Sequence, residues 1–151
     1  MARVLLTGMS GAGKTTVLAA VARRGYATVD TDYDGWELPG AVWDEPRMSA
    51  LLSEHATIAV SGTAQNQGGF YDRFEHVIYL HVPLEVLLER VRTRTNNPYG
   101  KSADQQDDIA RYVAEVEPLL RRTATLELDG MLPVPDLTDR LEQCLRCSRR
   151  P

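Results

Sequence analysis

The residues best equipped for chemistry begin at Gly8. Gly8-Met9-Ser10-Gly11-Ala12-Gly13-Lys14-Thr15 fits G-x-x-x-x-G-K-[ST] and stands between an apolar run and a stretch with helical spacing, the setting a phosphate-binding loop requires. Its glycines let the backbone curl with N–H groups pointing inward at a helix N-terminus, which makes a concavity for phosphate oxygens. Gly8, Ser10, Gly11, Ala12, Gly13, Lys14, Thr15 and Thr16 are therefore the candidate nucleotide-binding residues. The backbone of Gly11, Ala12 and Gly13 offers donors, Lys14 supplies a mobile charge for the β and γ phosphates, and the Thr15 hydroxyl is a ligand for Mg²⁺. Further on, Asp30 and Asp32 stand two apart and share one side if the strand before them continues that far. Arg90 and Arg94 are four apart on a helical pattern and can address one ligand, whereas Arg92 falls on the other flank.

Alternating strands and helices must position these groups. Arg3 to Thr7 reads as a buried strand, and Val17, Leu18, Val21 and Ala22 keep helical spacing up to a C-cap at Gly25. Tyr26 to Val29 makes a second strand, which delivers Asp30 and Asp32 to the C-terminal sheet edge where open α/β sheets bind ligands. Tyr33 to Val42 reads as an irregular loop over the site, with Trp36 exposed. Asp44 caps a helix with Pro46 in its first turn, Arg47 near its start, and Met48, Leu51 and Leu52 on one face. Trp43 suits a pocket wall and a core equally. Thr57 to Val60 is a third strand, followed by Ser61-Gly62-Thr63 with no carboxylate. Motor ATPases generally carry an Asp there, so Asp30 is the better metal-side carboxylate.

Val77 to Val82 is a fourth strand, and the helix from Pro83 to about Thr95 carries the stripe Leu84, Leu87, Leu88, Val91. Asn96 to Lys101 lacks apolar periodicity, as a mobile flap would. Ser102 with Gln105 makes a capping box before Ile109, Tyr112, Val113, Val116 and Leu120, an apolar stripe. Thr125 to Leu128 is the fifth strand. Asp136 caps a last helix with Leu137, Leu141 and Leu145 inward, and the tail Ser148 to Pro151 frays.

With 151 residues and 43% hydrophobic content the chain is sized for one domain, residues 1–151, with a buried core. A formal charge of -4 argues against general affinity for nucleic acid or anionic membranes, which need a basic footprint. The N-terminus runs directly into a strand and no apolar run approaches a membrane span, so a cytoplasmic enzyme, monomeric or homodimeric, is expected. Cys144 and Cys147 form one C-x-x-C, but a zinc site needs two more soft ligands, so the pair reads as part of a helix face.

The P-loop, the DTD at 30–32, the SGT at 61–63 and the LLERVRTR segment before the flap together resemble the small P-loop kinases, above all the shikimate kinase, gluconate kinase and adenylate kinase group. That resemblance implies an α/β three-layer P-loop NTPase fold with a five-stranded parallel sheet in the order 2-3-1-4-5 and helices on both faces. It implies ATP as donor, Mg²⁺, a small-molecule phosphoryl acceptor, a lid of about residues 95–103 and an acceptor-side segment of about residues 33–55. By resemblance Asp30 lies near Mg²⁺, Asp32 binds the acceptor hydroxyl, Arg90 and Arg94 stack on adenine and touch phosphates, and Arg47 and Gly62 bind the acceptor. Lys14, Asp32 and Arg94 are then the catalytic set. The chain departs from the shikimate group in having SGT for a triple-Gly loop and a short segment between Asp32 and Ala56, which argues against shikimate itself. The absence of DFG, HRD and NKxD motifs argues against protein kinases and GTPases. The readings that remain are a hydroxyl kinase, a nucleoside monophosphate kinase, and a nucleotide-binding switch that turns over slowly or not at all.

Overall fold

Five parallel strands pair into one sheet, the central three rich in buried apolar side chains, and the rest of the chain is arranged to cover it. The computed structural model describes residues 1–95 and 98–147. The elements run β1 (Arg3–Thr7), α1 (Lys14–Arg23), β2 (Thr28–Asp30), β3 (Glu37–Leu38), β4 (Val42–Trp43), α2 (Glu45–Glu54), β5 (Ile58–Ser61), a 3₁₀ helix (Gln67–Arg73), β6 (His76–His81), α3 (Leu84–Thr93), α4 (Ala103–Thr123), β7 (Leu126–Asp129) and α5 (Val134–Arg146). The main sheet has the order β2-β5-β1-β6-β7. Counted among its own strands this is the expected 2-3-1-4-5, with β1 central between β5 and β6 in parallel register.

Buried on both faces, as parallel sheets are, the strands split their side chains between two cores. Leu5, Ile58, Val60 and Val77 pack with Trp43, Met48, Leu52 and Phe70. Val4, Leu6, Ala59 and Ile78 pack with residues of α1 and α5, among them Val17, Val21, Leu141 and Leu145. The placement puts the C-terminal end of β1, and so the P-loop, mid-sheet, with the end of β2 on one flank and the end of β7 on the other.

Several local expectations are corrected. β2 ends at Asp30 rather than Asp32, because the Asp32 N–H donates to Asp30 Oδ1 at 3.1 Å and turns the chain there. The segment expected to be irregular contains an antiparallel hairpin, with Glu37 opposite Trp43 and Leu38 opposite Val42. Trp36 is buried rather than exposed, roofed by the guanidinium of Arg47 at 3.8 Å. Trp43 is a core residue, 1% exposed, and its ring tilts against Phe70. A 3₁₀ helix, Gln67–Arg73, leads into β6.

The ends of the later helices also differ. α3 stops at Thr93. Ser102 caps α4 by accepting from Gln105 N–H, but the Gln105 side chain accepts from Gly100 N–H at 2.8 Å, so the reciprocal half of the box goes to Gly100 rather than Ser102. Tyr112 is 48% exposed and leaves the core stripe. Pro133 rather than Asp136 caps α5, with Asp136 inside its first turn. Cys144 is half-buried and Cys147 exposed, both free thiols. The tail Ser148 to Pro151 and two residues of the expected flap, Asn96 and Asn97, lie outside the described residues. Among the described residues no helix is long and apolar enough to cross a membrane.

Candidate active site

β1 delivers Thr7 to the sheet edge, and the chain then wraps into a cradle. Gly11 and Gly13 take φ of 88° and 99°, values that side chains avoid, and Gly13 is the N-cap of α1. Gly8 fits because a Cβ there would meet the Leu80 carbonyl oxygen at 2.8 Å. Thr63, at the end of β5, pins the loop by donating its hydroxyl to Gly8 O at 2.6 Å.

Lys14, the first residue of α1, is 9% exposed and donates from Nζ to Gly8 O at 2.6 Å and Met9 O at 3.1 Å. Burial lowers its pKa to about 8, against the pull of Asp32 and Asp30. Burial raises the Asp32 carboxyl, Lys14 counters it and Asp30 adds to it. Lys14 and Asp32 therefore sense each other across the site, although β2 ends short of Asp32. Thr15 donates its hydroxyl to Asp30 Oδ2 at 2.8 Å. A hydroxyl and a carboxylate side by side are hard oxygen donors suited to Mg²⁺. Among the described residues no group of three His, Cys, Asp or Glu forms a cage, so protein ligands alone would leave much of a Mg²⁺ shell to phosphates and water.

From α3 the two expected arginines reach the loop. Arg90 Nη1 donates to Gly11 O at 3.0 Å and Ala12 O at 3.3 Å, while Arg94 Nη1 donates to Ser10 Oγ at 3.1 Å and its Nη2 to Tyr99 O at 2.9 Å. Arg92 pairs with Glu89 instead. The stretch leading into α4 is fastened to α3: Lys101 Nζ donates to Arg92 O at 2.7 Å and Arg94 O at 2.6 Å, and Gly100, φ 94°, sits where a Cβ would fall 1.8 Å from Val91 Cγ1.

One cavity of about 840 Å³ takes in all eight candidate P-loop residues together with Asp32, Arg90 and Arg94, whereas Asp30 does not line it and joins the site through Thr15. Arg47 and Gly62 do not line it. Arg47 lies over Trp36 and donates to Asp34 O at 2.7 Å. Gly62 packs on Thr31, whose Oγ1 would be 1.9 Å from a Cβ there.

The family profile described as AAA domain matches residues 4–111. A shikimate kinase of Aromatoleum aromaticum is 33% identical over 149 positions, with 84% of each chain covered. This chain belongs to the small P-loop kinases. The kinase shares its fold with the shikimate kinase of Acinetobacter baumannii solved with shikimate, at TM-score 0.71 and 24% identity over 95% of this chain and 92% of that one. It does so too with a gluconokinase of Sinorhizobium meliloti 1021, at TM-score 0.60 and 19% identity over 95% and 91%. It is an ATP-dependent small-molecule phosphotransferase.

Sequence reasoning missed five residues that line the kinase's cavity. Tyr33 and Glu37 enter from the segment read as a loop, Tyr112 from the stripe read as core, and Leu132 with Val134 from the β7–α5 turn. Only Tyr112 left a signal: a phenol at the margin of an apolar stripe carries a polar tip that a dry core must satisfy.

Proposed function

We propose that the kinase transfers the γ-phosphoryl of Mg-ATP to a hydroxyl of its acceptor, with Asp32 as the base. The observation that carries this is the meeting of Lys14 and Asp32 in one cavity at the mouth of the P-loop. In-line phosphoryl transfer needs positioning and electrostatics more than covalent help. The backbone from Gly11 to Gly13 would donate to phosphate oxygens, and Lys14 would leave its carbonyl partners to follow the migrating group. Thr15 and Asp30 would hold Mg²⁺, Asp30 through water, and when bound the ion offsets triphosphate charge. Arg90 would stack on the base and Arg94 would reach the phosphates. Asp32 would take the hydroxyl proton as the acceptor oxygen bonds to phosphorus and the bond from phosphorus to the β–γ bridging oxygen breaks, with ADP leaving. Arg47 and Gly62, which do not line the cavity, would act only indirectly, by holding Asp34 and Thr31 in place.

Asp32→Asn tests this reading, since it keeps size and removes charge. Turnover of the acceptor should fall by about 10² to 10⁴ with nucleotide affinity nearly unchanged. Unaltered turnover would remove Asp32 as base and favour a phosphate acceptor, as in nucleoside monophosphate kinases.

A further inference from the structure

The cavity is divided by charge. At its centre stands the P-loop after β1, and on the β7 flank Leu132, Val134 and Leu137 make an apolar wall suited to a nucleobase. Its cations, Lys14, Arg90 and Arg94, all address the P-loop: Lys14 through Gly8 and Met9 carbonyls, Arg90 through Gly11 and Ala12, Arg94 through Ser10. On the β2 flank the lining is Asp32, Tyr33 and Glu37, faced by Tyr112 of α4. Burial and then Asp32 raise the Glu37 carboxyl, and burial and then Glu37 raise the Tyr112 phenol, so the three groups converge.

The one other cation of the acceptor-side segment that could balance these carboxylates, Arg47, is held over Trp36 and on Asp34 O and does not line the cavity. Once Lys14 serves phosphates, this flank keeps two carboxylates and two phenols and, among the described residues, no cation of its own. A carboxylate acceptor would meet like charge from two neighbouring carboxylates, both exposed to the cavity, which is unfavourable, whereas an ammonium would relieve the repulsion between Asp32 and Glu37. Exposed phenol faces at Tyr33 and Tyr112, 54% and 48% exposed, favour a cation as well.

We infer that the acceptor is a hydroxylated molecule carrying a positive charge, an amino alcohol or amino sugar, and that Glu37 is the residue that selects it. The inference rests on the kinase reading above and names its substrate class. Glu37 accepts from the ammonium while Asp32, across the same flank, remains free to take the hydroxyl proton.

D-glucosamine, D-glucose and D-gluconate share a carbon skeleton and differ in charge, so kcat/KM for each with Mg-ATP reads the selection directly. Glucosamine should exceed glucose by about tenfold and gluconate by more. Glu37→Gln should bring glucosamine and glucose within about twofold of each other, chiefly by raising KM for glucosamine, with the Kd for a non-hydrolysable Mg-ATP analogue as the control for the donor side. Gluconate used as well as glucosamine, a preference that survives in Glu37→Gln, or phosphorylation of none of the three by protein that binds the analogue would each overturn the inference. Failure to bind the analogue would contradict the kinase reading itself, and the inference with it.

Discussion

Thr15 Oγ1 and Asp30 Oδ2 lie 2.8 Å apart, a contact that ties the first turn of α1 to the end of β2. It pairs the two oxygens best placed to flank a divalent ion. Asp30→Asn should therefore raise the Mg²⁺ concentration needed for half-maximal activity by about tenfold, with a smaller loss at saturating Mg²⁺. Titrating activity against free Mg²⁺ at fixed ATP checks this, and an unchanged midpoint would release Asp30 from the metal side.

Lys14, with its pKa lowered to about 8, is largely neutral in the free protein above that pH. A polyanion beside it favours the charged form, so nucleotide binding at about pH 8.5 should take up close to one proton. Titration calorimetry in buffers of different ionisation enthalpy measures the uptake. Lys14→Arg, always charged, should bind without it. The same shift has a stability consequence. Because the folded-state pKa lies below the ordinary value of 10.5, the folded protein binds fewer protons between those pH values, and Lys14's contribution to stability rises with pH across that window.

Arg94 and Arg92 are two residues apart but engage different partners, Ser10 and Glu89. Replacing Arg94 by Ala should lower turnover by about tenfold to a hundredfold, more than it lowers nucleotide affinity, because its charge counts most on the migrating phosphoryl. Arg92→Ala should change both by less than about twofold. Steady-state kinetics of the two variants, with equal effects as the contrary result, decide the matter.

Gly62 is crowded by Thr31, a buried residue whose hydroxyl donates to Ser61 O at 2.9 Å. Gly62→Ala should destabilise the fold by about 1 to 3 kcal/mol by overpacking. Gly69→Ala, where a Cβ meets nothing within 4 Å, should be near neutral. Thermal unfolding of both checks the contrast.

Most of the layout was legible because it rests on period and spacing. The apolar strands, the P-loop and the Leu87/Val91 stripe are local patterns, and they yield the sheet and the donor side. The acceptor side was less legible. Trp36 reads as exposed because its cover, Arg47, comes from a different element. Glu37 gains its meaning only when the hairpin opposite Trp43 turns it toward Asp32. Tyr112 occupies a stripe position, yet α4 rotates it out to face Glu37 across the cavity. Arg47 stands where the family resemblance places an acceptor ligand, but tertiary contacts with Trp36 and Asp34 decide where it points.

The site passes a phosphoryl group to a small molecule rather than to water. ADP formation from Mg-ATP with and without an acceptor panel of amino sugars, sugars, polyol acids and nucleosides, with mass spectrometry of the acceptors, measures this. ADP formation should depend on an acceptor and yield a product heavier by one phosphoryl group, and both should be lost in Lys14→Ala, whose loop keeps its shape through Gly11 and Gly13. Slow release of inorganic phosphate that no acceptor accelerates, with every acceptor unmodified, would contradict this and leave a nucleotide-binding switch.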